Sequence, residues 1–167
     1  MTAQRQERYG WRAPIAAIAV LAGLGTVGIS PSCEAATTER VVTNRFSGLA
    51  IEGFDPVAYF VNRRPVLGLP QFESSQDGAV WRFHNEGNRA SFLEHPDIYG
   101  PQFGGYDPVD VARGVTVAGN PYFWVIVGER LYLFGMEANR DAFAADPKRF
   151  LDEAHLRWPS LARGLAQ

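Results

Sequence analysis

One pattern occurs twice in this chain, 51 residues apart, and it narrows the folds open to it. Asn88-Arg89-x-x-Phe92-x-x-x-Pro96-x-x-Tyr99 returns as Asn139-Arg140-x-x-Phe143-x-x-x-Pro147-x-x-Phe150, and the alternating segments ahead of each copy, Trp81 to Phe83 and Tyr132 to Phe134, correspond as well. Alternation reads as strand. The segment after it reads as a short helix stopped by proline, because the residue before a proline is pushed out of the helical region. Two copies are too few for a solenoid, which needs about three repeats to cover its core. The expectation is one α+β domain: a small antiparallel sheet with short helices, built from an internally duplicated strand-helix unit.

The first 35 residues differ in kind from the rest. Arg5, Arg8 and Arg12 precede an apolar run from Ala13 to Ile29, and Cys33 and Ala35 stand three places and one place before a cleavage point after Ala35. This is the layout of a signal peptide, so export to a bacterial periplasm is expected. An uncleaved anchor and a lipid-modified Cys33 are the rival readings. Residues 36–46 read as linker or leading strand, 47–160 as the domain and 161–167 as a tail. Cys33 is the only cysteine, so a chain starting at Ala36 has no disulfide, thiolate nucleophile or cysteine-ligated zinc. The leader carries three arginines and two glutamates, so the net charge of −2 becomes −3 without it. With no run of like charge, neither nucleic acid nor an anionic lipid surface is an expected partner. A membrane role is expected only if the leader stays attached, which leaves a small ligand or another envelope protein as the expected partner.

Several elements follow from local chemistry. Gly53 to Pro56 reads as a turn in which Asp55 bonds its own backbone, followed by a strand from Val57 to Val61. Pro65 to Phe72 reads as irregular. Gln76 to Gly78 turns into a strand from Val80 to His84, and Asn85 caps a helix from Glu86 to Glu94. Asp107, Pro108 and Gly114 mark the cap, first position and stop of a second short helix. Tyr122 to Val127 and Arg130 to Phe134 form a hairpin across Gly128-Glu129, and a last helix runs from Pro147 to Trp158, ended by Pro159.

The sequence pairs no nucleophile with a base, so no catalytic residue is assigned. The candidate ligand site draws on the aromatics and acids around the glycine-rich loop: Asp55, Tyr59, Trp81, Tyr106, Asp107 and Trp124. His84 and Asp107 are the candidate metal ligands. Against each stands a plainer reading: Asp107 as a helix cap, Asp55 as a turn former, His84 as a solvated strand end, and the aromatics as core.

Gly53-Phe54-Asp55-Pro56-Val57-Ala58-Tyr59-Phe60, the segment Phe83 to Tyr99, Pro101-Gln102-Phe103-Gly104-Gly105-Tyr106 and the late hairpin with Trp158-Pro159 together resemble the secreted YHS-domain proteins. The resemblance spans about residues 47–160. It implies a small exported α+β module from a superfamily that includes metal-binding modules of copper transporters. In the metal-binding relatives, cysteines fall at positions held here by Ala58, His84 and Asn88, and many close relatives place cysteine or selenocysteine where Asp107 stands. Aspartate keeps the negative charge and can cap a helix, but it does no thiol chemistry. The expected function is a non-catalytic module that binds a small ligand or a metal. Acid–base catalysis by Asp55, His84, Tyr106 and Asp107, or partner binding in the cell envelope, is the alternative.

Overall fold

A computed structural model describes residues 40–165. The expected leader and the start of the linker lie outside them. Element order is a 3₁₀ turn at Ile51–Gly53, α1 (Ala58–Val61), β1 (Leu69–Gln76), β2 (Ala79–Phe83), α2 (Glu86–Glu94) and α3 (Pro96–Tyr99). A second 3₁₀ turn at Gln102–Gly105 follows, then α4 (Pro108–Arg113), β3 (Asn120–Val127), β4 (Arg130–Phe134), α5 (Glu137–Ala145) and α6 (Pro147–Gly164). The fold is α+β as expected, with the antiparallel strands divided between two hairpins, β1-β2 and β3-β4.

The two halves agree in register as well as in order. In the first hairpin Leu69 pairs with Phe83 and, past a bulge, Glu73 with Arg82. In the second, Asn120 pairs with Phe134 and, past a bulge, Trp124 with Leu133. Each partner is shifted by 51 residues. Pro70 and Pro121 both fall in the bulge, where a residue without an N–H breaks no ladder bond. The bulge is why a strand starts at Leu69, inside a stretch that composition marks as irregular. Asp55 N–H donates to the Val66 carbonyl at 2.8 Å, and Asp107 N–H to that of Val117 at 2.9 Å. Leu49 bridges Val80 in parallel, and Pro101 bridges Leu131 in the same way.

Two other expectations are corrected. Val57 to Val61 is helical rather than extended, although Val-Ala-Tyr-Phe-Val is rich in strand formers. The Asp55 side chain accepts the N–H groups of Val57 and Ala58, which starts a turn of helix, and Tyr59 is buried beneath it. Helix α6 passes through Pro159 and continues to Gly164. Proline removes one helical hydrogen bond there. Trp158, Leu161 and Leu165 pack against the second core and hold the helix beyond it, so residues 161–165 belong to the domain.

Two apolar clusters result. The first joins Tyr59, Trp81, Phe83, Phe92, Leu131 and their neighbours. The second gathers Phe103, Tyr106, Val109, Tyr132, Phe134 and Phe143 under α6, and it takes in Val42 from the leading segment. Among the described residues no helix is long and apolar enough to cross a membrane.

Candidate functional site

Each half is pinned by one fully buried aspartate. Asp55 Oδ1 accepts from the Val57 and Ala58 N–H groups at 2.8 and 3.3 Å. Its Oδ2 accepts from the His84 N–H at 2.7 Å and from Asn88 Nδ2 at 2.6 Å. Asp107 repeats the scheme: Oδ1 accepts from the Val109 N–H at 2.9 Å, and Oδ2 from the Gly135 N–H at 2.9 Å and Asn139 Nδ2 at 2.8 Å. Each carboxylate therefore caps a helix and ties it to the junction between the second strand of a hairpin and the helix that follows. A charge is tolerable in such a place because donors surround it.

The halves differ at one neighbour. Asn139 Nδ2 also donates to Asp110 Oδ2 at 3.1 Å, and Asp110 in turn accepts from Arg113 at 3.0 Å. The corresponding place in the first half is Ala58. Burial pushes the Asp107 carboxyl above the usual carboxylate range. The bonds from Asn139, Gly135 and Val109 pull it back, and the Asp110 charge adds to the upward push.

These placements disperse the residues expected to form one site. Asp55 and Asp107 sit in different halves, and no hydrogen bond joins Asp55 or His84 to Asp107. His84 meets Asp55 through its backbone, with its side chain exposed. Tyr59 is buried, donates its hydroxyl to the Pro121 carbonyl at 2.9 Å and packs edge-on against Trp124, and burial raises the pKa of its phenol. Tyr106 is buried beside Trp158. Among the described residues no three of His, Cys, Asp and Glu stand together as a set that could hold a metal ion.

Among the described residues a half-open groove of about 900 Å³ stands apart from these side chains. Its apolar lining comes from Trp81, Phe92, Pro96, Pro101 and Phe103. Trp81 and Phe92 belong to the first core and Phe103 to the second, so the groove runs along the seam between them. Arg40, Asp77, Asp97 and Gln102 supply its charged and polar groups. Phe103 and Gly104 both hold left-handed backbone, with φ of 53° and 63°. A Cβ on Gly104 would lie 1.9 Å from the Arg40 carbonyl oxygen, so only glycine lets the leading segment close this wall.

Of the expected ligand residues only Trp81 lines the groove. The reading by residue type missed Asn88 and Asn139 as partners of the aspartates. Both stood in the repeated pattern, and Asp-Pro-Val recurs at residues 55–57 and 107–109, a signal that could have paired the two nodes. No family model matches the chain, and no curated protein or solved structure matches it either.

Proposed function

We propose that this chain is a non-catalytic binding or accessory module, exported and of the YHS-domain kind, that takes a small ligand in the groove along its seam. The observation that carries the reading is the groove itself, whose volume of about 900 Å³ falls within the range of small-molecule sites. Its aromatic lining with a few polar groups at the edge suits a partly apolar ligand. The conspicuous acids are employed elsewhere: Asp55 and Asp107 have their oxygens engaged by donors of the fold, which makes each a structural clamp rather than a free base. Export and the family rest on the leader pattern and the quoted motifs.

The test is a melting screen with small aromatic, heterocyclic and apolar compounds and with divalent metals, followed by calorimetry on any hit. A ligand that binds only the folded chain raises its melting temperature by mass action. Gln102→Trp places extra bulk at the groove lining and should abolish the shift, whereas Lys148→Ala, on the exposed side of α6, should leave it intact. A screen with no stabilising compound, or a shift indifferent to Gln102→Trp, rejects the groove reading.

A further inference from the structure

The leading segment enters the groove wall through Thr43 and Gly48, and between them the chain makes a tight turn. Asn44 organises it: its side-chain oxygen accepts from the Phe46 and Ser47 N–H groups at 3.0 and 3.1 Å, and its carbonyl accepts from the Gly48 N–H at 2.7 Å. Phe46 at the tip is 91% exposed, the most exposed of the large apolar residues described. An ordered turn that holds a phenylalanine in water has no folding reason, since burial of that ring is worth about 1.5–3 kcal/mol. The same face thus carries an aromatic knob and, at its foot, an aromatic-lined groove.

Charge is arranged in a matching way. Arg45 stands beside Phe46 and, like Asp77 at the other side of the groove, makes no ion pair among the described residues. Asp97, also on the groove, reaches only Arg130, at 3.8 Å. A knob and a hole on one face, with positive charge at the first and two carboxylates against the single Arg40 at the second, are self-complementary under a two-fold axis. We infer that two copies of this chain pair through this face, the Phe46 turn of each entering the groove of the other while Arg45 meets the acidic rim formed by Asp77 and Asp97.

The inference uses the groove of the proposed function but does not need its ligand. The experiment is sedimentation and light scattering on the protein isolated from its own host, from about 1 μM to about 1 mM, a range that covers weak reciprocal contacts. Phe46→Ser removes the knob at an exposed position and should raise the dissociation constant at least about tenfold, the loss expected of an aromatic anchor. Arg45→Asp should weaken pairing as well, and the charge exchange Arg45→Asp with Asp77→Arg should recover part of it. A dimer that Phe46→Ser weakens supports the inference even when the ligand screen is empty. A monomer at every concentration overturns it even when a ligand binds the groove, and so does a dimer that neither single change weakens.

Discussion

Asp55 and Asp107 do the same job in two surroundings. Both are fully buried, both follow a 3₁₀ turn with left-handed backbone, and both clamp a short helix to a hairpin through an asparagine. Asp55 has four donors and a neutral neighbour in Ala58, whereas Asp107 has three donors and a second carboxylate, Asp110, on the same amide. An element can therefore be kept in place while its electrostatic environment is changed around it. What looks like a reactive acid in the sequence is in both halves a structural fastener.

The largest effect should come from removing either fastener. Asp55→Ala strands four donors and Asp107→Ala three, and a buried group left without its partner costs about 1–3 kcal/mol. With several groups stranded at once, each variant should lose about 3–5 kcal/mol in urea denaturation, Asp55→Ala more than Asp107→Ala. Equal losses would show that the count of donors does not govern the clamp. Losses below about 1 kcal/mol would show that water replaces it.

The hairpins sharpen the same comparison. At one register position the first pairs Glu73 with Arg82 and the second pairs Trp124 with Leu133. The Arg82 and Glu73 side chains meet at 2.6 Å but remain about a third exposed, whereas Leu133 is buried and Trp124 packs on Tyr59. Leu133→Ala should cost about 2–5 kcal/mol as a core truncation. Arg82→Ala should cost no more than about 1 kcal/mol, as a solvated pair. Denaturation midpoints for the two variants measure how far one backbone register tolerates opposite chemistries.

Left-handed positions give a smaller, signed test. Glu52 and Gly104 occupy matching places in the two 3₁₀ turns, with φ of 56° and 63°. Glu52→Gly should stabilise slightly, by at most about 1 kcal/mol, because a left-handed non-glycine residue is strained. Gly104→Ala should destabilise by about 1–3 kcal/mol, since its Cβ meets the Arg40 carbonyl. Thermal melts of both variants read the opposite signs directly.

Sequence carried the fold further than it carried the site. The Asp107 cap with Gly114 behind it and the Asn85 cap are local chemistry, and both stand in the structure. The helix Ala58–Val61 was illegible because its strand-forming side chains are overruled by the Asp55 side-chain bonds and by the burial of Tyr59. The end of α6 was illegible for a similar reason: Pro159 is a local stop signal, and the packing of Trp158 and Leu161 that overrides it is a tertiary fact. The site was legible least. Its acids and aromatics are the residue types that binding sites favour, but they are also those of a clamp and a core, and only long-range contact separates the two. The groove lies where two cores meet, and no local pattern marks that seam.

The smallest effect isolates the one residue by which the nodes differ. The Asp107 carboxyl is held above the ordinary carboxylate value, first by burial and further by the Asp110 charge. A carboxyl raised in the folded state binds its proton more tightly there than in the unfolded chain. Its contribution to stability is therefore full below the unfolded value and is lost as pH rises through the folded one. Asp110→Ala recreates the Ala58 arrangement and takes away one cause of the rise. Between about pH 3 and pH 7 the variant should lose less stability with rising pH than the parent, because the folded and unfolded values of Asp107 then lie closer together. Removal of the Asp110 contacts to Asn139 and Arg113 displaces the whole curve by a nearly constant amount above that window, so the slope, rather than the height, is the quantity to compare. A slope unchanged by Asp110→Ala would mean that burial and the bonds from Asn139, Gly135 and Val109 set the Asp107 proton affinity between them, and that the second carboxylate is electrostatically silent.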